Sequence, residues 1–201
     1  MSGPLGSSQW MYATGAAVEG QSLRFNDDDG AYLTRTPTSA GNRKTWTWSA
    51  WLKRGNLGTN QYIFGGNSGV SVDGGVVLLS TDNVGLSLNG NVYNKYTTAV
   101  LRDTSAWYHI VIALDTDNAT AADRIKLYIN GVEQTDYFTQ NSGLPPSGFT
   151  PSYFNNANNH DLGKLTGYSQ NYFDGYMAEV NFVDGLALDP TSFGETDANG
   201  Q

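Results

Sequence analysis

The stretch Lys44-Thr45-Trp46-Thr47-Trp48-Ser49-Ala50-Trp51-Leu52-Lys53-Arg54 constrains the fold more than any other. Read with a period of two, Trp46, Trp48, Ala50 and Leu52 share one face, and Thr47, Ser49, Trp51 and Lys53 share the other. Trp and Thr favour strands over helices, so the stretch is predicted as a β-strand. Three of the five tryptophans lie here, and each buries roughly 150–250 Å² when covered. A strand this heavy on one face needs a second sheet opposite it. The first prediction is therefore an all-β, two-sheet antiparallel β-sandwich.

The remaining segments fit that prediction. Ser22 to Phe25, Ala31 to Thr36, Gln61 to Phe64, Val76 to Ser80, Gly85 to Leu88 and Val92 to Leu101 read as strands separated by polar turns. Trp107 to Leu114 is apolar on both faces, the mark of a central strand. Arg124 to Ile129 alternates, and Phe173 to Val183 is the last long strand. Asn89-Gly90 and Asn130-Gly131 are hairpin signals, because a type I′ turn needs positive φ at both central residues. No segment carries a sustained helical period. Many short strands with regular turn signals mean a sandwich.

Composition narrows the function. The 201 residues suffice for one large β domain. The net charge of −8 argues against nucleic acid and anionic membranes, which call for basic patches. No apolar run approaches the ~18 residues of a membrane helix. The absence of cysteine removes disulfides and thiolate sites. Residues 1–7 read as a cloning and protease-site remnant, and residues 8–21 as a linker, an edge strand or an oligomer contact. Residues 22–190 form the predicted sandwich. Residues 191–201 read as a C-terminal extension cut from a longer protein, whose other domains would then be partners.

Four segments in order carry a family resemblance: Ser22 to Leu33 with its Asn26-Asp27-Asp28-Asp29-Gly30 turn, Thr45 to Lys53, Trp107 to Val111 leading to Lys126 through Val132, and Phe173 to Phe182. Over about residues 20–190 the chain resembles laminin G-like and pentraxin-like modules of the concanavalin A-like lectin superfamily. The wording is also similar to laminin G-like domains of bacteriophage structural and tail proteins. The resemblance implies a concanavalin A-like jelly roll that binds a cell-surface glycan or protein receptor, often with calcium, at an extracellular or virion surface. A homo-oligomer is compatible with it. A structural decoration module without a soluble ligand is the alternative, and a divergent glycoside hydrolase is a third reading.

The candidate site residues follow. Calcium takes six to eight oxygen ligands. The resemblance implies that Asp28 and Asp29, joined by Asp174, would hold a structural calcium; a solvated acidic turn competes with this. Asp115, Asp117 and Asp123 read as turn and cap formers. Glu179, inside an apolar strand, is expected to be structural and paired. His109 is expected to be a satisfied core histidine, and Trp51 to pack on a second face. Residues 140–159 form a long loop rich in Pro, Asn and Ser, and such loops are functional or mobile. There Tyr153, Asn158 and His160, with Tyr168 beyond, are the candidate sugar ligands, because amides and imidazole bond hydroxyls while an aromatic ring covers the apolar face of a sugar. Related laminarinase-type hydrolases carry Glu-x-Asp-x-x-Glu on one strand, placing acid and nucleophile across the scissile bond. This chain has no such spacing, which points away from an enzyme.

Overall fold

A computed structural model describes residues 21–67, 73–167 and 169–194. Residues 1–20, 68–72, 195–201 and Tyr168 lie outside them, so the expectations placed there are not addressed by the structure. The strands are β1 (Leu23–Phe25), β2 (Leu33–Arg35), β3 (Thr45–Arg54), β4 (Gln61–Asn67), β5 (Asp73–Leu78), β6 (Asn83–Leu88) and β7 (Tyr93–Val100). They continue with β8 (Tyr108–Asp115), β9 (Ile125–Ile129), β10 (Val132–Glu133), β11 (Tyr137–Phe138), β12 (His160–Leu162) and β13 (Gly175–Asp184). Among the described residues only two short 3-10 turns are helical, and no helix is long and apolar enough to cross a membrane.

Two sheets result. One has six strands in the order β1-β13-β3-β8-β9-β10, and the other seven in the order β11-β7-β6-β5-β4-β12-β2. The Trp strand β3 lies inside the first sheet, paired with β8 from Thr45–Asp115 to Leu52–Tyr108. Trp46, Trp48, Ala50 and Leu52 are fully buried, and Ile63, Val76, Leu78, Leu86 and Leu88 meet them from the second sheet. This is the all-β sandwich that the alternation predicts. Asn130 and Gly131 both take positive φ in a two-residue hairpin between β9 and β10. Asn89 and Gly90 also take positive φ, but inside a longer connection between β6 and β7.

Two buried cations tie the sheets together. Arg54, at the end of β3, donates to Asp82 Oδ1 at 3.0 Å and to the Leu101 carbonyl at 2.6 Å. Burial pushes the Asp82 carboxyl up, but bonds from Arg102, the Gly58 N–H and Arg54 outweigh it and hold the pKa below the ordinary value. Lys95 of β7 instead donates to the carbonyls of Ile125 at 2.7 Å and Ala122 at 3.0 Å. Burial lowers its pKa.

The outer face of the six-stranded sheet is covered by the chain's own residues 185–193. Thr47 Oγ1 donates to the Leu186 carbonyl and accepts the Leu188 N–H, both at 2.7 Å. The Phe193 ring lies 6.4 Å from His109. Thr47, Ser49, Val111 and Ala113 are consequently buried on this face, in keeping with a central β8 that is apolar on both sides.

Candidate functional site

The outer face of the seven-stranded sheet carries a shallow trough of about 300 Å³. One rung of the ladder crosses it: Tyr62 pairs with Val77, Val77 with Gly85, and Gly85 with Tyr96. Glycine inside a strand marks a place where something must approach closely. A Cβ at Gly75 would come within 2.5 Å of the Tyr62 ring, and one at Gly85 within 2.5 Å of the Tyr96 ring. The two tyrosines therefore lie down on the sheet where side chains would otherwise stand.

The rim consists of amides and hydroxyls. Asn60, Asn91, Gln140, Asn171, Ser80 and Thr81 line it, and none of the lining residues carries a formal charge. Tyr96 Oη donates to Asn91 Oδ1 at 2.6 Å, and burial pushes its phenol pKa above the ordinary value. Asn91 Nδ2 donates to Gln140 Oε1 at 3.2 Å, which links the β6–β7 connection to the loop after β11. On the opposite flank the Tyr62 N–H donates to the Asn171 carbonyl at 2.9 Å. A concave, uncharged surface of amides beside aromatic rings suits a polyhydroxylated, neutral ligand.

The sugar ligands expected from the sequence do not meet in this trough. Tyr153 is a correction: its ring is wholly buried, 4.9 Å from the Phe154 ring, and its hydroxyl accepts the Asn89 N–H. The long loop turns inward because two large aromatics in an irregular segment gain most by joining the core. Asn158 is partly buried and its Nδ2 donates to the Tyr153 carbonyl at 3.1 Å, so it braces the loop. His160 is buried in β12. Its Nδ1–H donates to the Asn158 carbonyl at 2.8 Å and its Nε2 accepts the Asn155 N–H at 3.1 Å, which places the neutral tautomer. Burial lowers its pKa. His160 does line a second cavity, at the edge of the sandwich. Tyr168 lies outside the described residues.

The acidic candidates gather at one corner without forming a cation site. Asn56 Nδ2 donates to Asp27 Oδ2 at 3.0 Å, and the adjacent Gly55 N–H donates to the Asp174 carbonyl at 2.8 Å. However, Arg24 Nη2 stands 2.6 Å from Asp174 Oδ1, so a guanidinium occupies the place beside that carboxylate. Asp28 and Asp29 are exposed, and Asp29 accepts from Asn26 at 2.7 Å. Among the described residues no three His, Cys, Asp or Glu side chains are grouped to hold a metal. Asp174 is thus matched by Arg24, while Asp28 and Asp29 face solvent.

Other expectations fare differently. His109 is buried, bonded to Ser49 Oγ at 2.9 Å and stacked on Trp51 at 4.9 Å, as a satisfied core histidine should be. Asp115 Oδ1 accepts the Asp117 N–H at 3.2 Å, a turn-forming role. Glu179 is a correction: it is exposed at φ 49° where the β13–β3 register shifts. A β-bulge turns that side chain out of the apolar face.

Comparisons with known proteins agree with this architecture. The chain is similar to a heptameric SAP-like pentraxin from Limulus polyphemus, at 16% identity and a TM-score of 0.52, covering 75% of this chain and 68% of that one. It is similar to domain 4 of an extracellular arabinanase from Geobacillus stearothermophilus, solved in complex with arabinotriose. That match has 23% identity and a TM-score of 0.57, over 77% of this chain and 66% of that one. It is also similar to the CBM40 module of a Ruminococcus gnavus IT-sialidase bound to α2,3 sialyllactose, at 14% identity and a TM-score of 0.55, over 82% of this chain and 96% of that one. Comparison with curated proteins finds no match. The family profile Laminin_G_3, described as concanavalin A-like lectin/glucanases superfamily, matches residues 25–191. The chain belongs to that laminin G-like family of the concanavalin A-like lectin/glucanase superfamily.

Proposed function

We propose that this domain is a non-catalytic recognition module for neutral glycans, carried by a larger extracellular or virion-surface protein. The observation that carries the reading is the uncharged, amide-rimmed trough on the outer face of the seven-stranded sheet, with the half-buried Tyr62 beside it and Tyr96 buried beneath. Asn and Gln side chains donate and accept at once, which matches the hydroxyls of a sugar. The half-buried Tyr62 offers a ring to the apolar C–H face of a pyranose or furanose. Two structurally similar modules were solved with arabinotriose and with sialyllactose, which supports carbohydrate as the ligand class. The net charge of −8 and a lining without cations favour an uncharged glycan over a sialylated or sulfated one. Glycosidic hydrolysis needs a pair of carboxyl groups flanking the bond, and the trough lining contains none.

The test is a glycan array followed by titration calorimetry. Neutral oligosaccharides should bind saturably. Tyr62→Ala should weaken that binding at least tenfold, about 1.4 kcal/mol, and Gln140→Ala by less, with both variants still folded. Binding confined to acidic glycans, or unaffected by Tyr62→Ala, would show that the trough is not the site.

A further inference from the structure

The second cavity is a cleft of about 710 Å³ at the edge of the sandwich, between β2 of one sheet and β13 of the other. β2 is the last strand of its sheet, so the cleft opens where the two layers end. The bulge in β13 shapes one wall. Its register shifts between Ala178 and Asn181, and a bulge re-aims the residues beside it. Val180 packs against the core. Phe182 lies 5.3 Å from the Trp46 ring and 5.8 Å from Phe64, yet it remains 36% exposed. The β2–β12 ladder shapes the other wall. Leu33 pairs with Leu162 and Arg35 with His160. Alternate residues of a strand share one face, and all four of these line the cleft.

The polar groups of the cleft differ in their partners. Asp184 is satisfied: its Oδ1 accepts the Asn42 N–H at 2.7 Å and a hydrogen from Asn155 Nδ2 at 2.5 Å. His160 uses both ring nitrogens on the backbone of Asn155 and Asn158. Arg35 is exposed and forms no ion pair among the described residues. In a chain of net charge −8, this is an uncompensated cation set against an apolar recess. The guanidinium is a fixed fork of donors that matches a carboxylate with two parallel hydrogen bonds. Sites for small molecules enclose roughly 300–1,000 Å³ behind mostly apolar walls, with a few polar groups that fix orientation. The cleft has that size and that make-up.

We infer that the cleft binds a small monocarboxylate with an apolar body, the body against Leu33, Val180 and Phe182 and the carboxylate on Arg35. An exposed Arg–carboxylate pair is weak on its own. The buried apolar body therefore supplies most of the affinity, and the head group supplies the selectivity. The inference goes beyond glycan recognition and does not depend on the trough.

Titration calorimetry of the full chain with octanoate, phenylbutyrate, octanol, octylammonium and acetate tests this. At least one of the two longer acids should bind saturably, about tenfold or more tighter than octanol or octylammonium, and acetate should not bind measurably. The tighter acid identifies the body as an acyl chain or an aryl ring. Arg35→Gln, at an exposed position, should bring the acids down to the affinity of octanol and leave octanol unchanged. Methyl resonances of Leu33, Leu162 and Val180 should shift on binding, and those of Val77 in the trough should not. Equal affinity for acid and alcohol, or undiminished acid binding by Arg35→Gln, would overturn the inference. So would the absence of saturable binding by the folded chain, or shifts confined to other methyl groups. A neutral glycan titrated in the presence of saturating octanoate should bind as it does alone, which separates failure of the cleft from failure of the trough.

Discussion

The two outer faces of this sandwich are built alike and used differently. On the six-stranded sheet, the outer face is covered by residues 185–193, and small residues at Thr47, Ser49, Val111 and Ala113 lie there beside the stacked Trp51 and His109. On the seven-stranded sheet, glycines take the small positions, and the space they leave holds two tyrosine rings and an open trough. Small side chains on a strand thus have two uses. They admit a covering segment of the chain, or they leave a recess for something from outside. On the proposed function, the covered face serves stability and the open one recognition.

Substitutions can break that contrast. The largest effect is expected for Val111→Asp. It places an uncompensated charge beneath the C-terminal cover and should cost on the order of 4 kcal/mol, enough to unfold much of the protein. Ser80→Asp, on the rim of the open trough, should change stability by less than about 0.5 kcal/mol. Urea unfolding of both variants checks the pair, and equal losses would mean that the two faces are equally covered. Next is Thr47→Val. It leaves the Leu186 carbonyl and the Leu188 N–H without their partner and should cost about 1–3 kcal/mol. Unfolding curves together with exchange of the Leu188 amide would locate the loss in the cover.

A smaller effect concerns pH. Burial holds the imidazoles of His109 and His160 below the ordinary histidine pKa. The unfolded chain therefore takes up protons that the folded chain refuses. Their contribution is full above about pH 6.5 and is lost progressively as pH falls below that value. The urea midpoint should drop between pH 7.5 and 5, and it should drop less in the His109→Gln, His160→Gln double variant. Identical profiles would show that neither histidine is coupled to folding. The smallest expected effect is that of EDTA, which should leave Tm unchanged, since Arg24 already neutralises Asp174. A clear fall restored by added calcium would reverse that reading of the corner.

Most strands were legible because a period of two, interrupted by turns, leaves few alternatives. β11 (Tyr137–Phe138) was not predicted, since two residues show no period. The candidate site was much less legible. Tyr153 and His160 have the residue types of a sugar site, but burial decides whether such a group binds a ligand or the core, and both turned inward. The trough residues Tyr62, Gly75, Gly85, Tyr96 and Asn171 each looked unremarkable, because they come from four strands and a distant loop. Gly75, just before the predicted strand from Val76, and Gly85, at the start of the next, were the available signal, because glycine beside a strand marks a position where a neighbour can come close.

By itself the sequence determined the class of fold. The Trp46–Trp48–Ala50–Leu52 face demanded a second sheet, and local turn chemistry divided the chain into strands. Only the tertiary structure decided which polar faces are covered, which acidic residue is matched by Arg24, and where an open recess remains. The physical reason is one of range. Strand propensity and alternation act over a few neighbours, whereas cover, charge compensation and concavity are set by segments that meet only after folding.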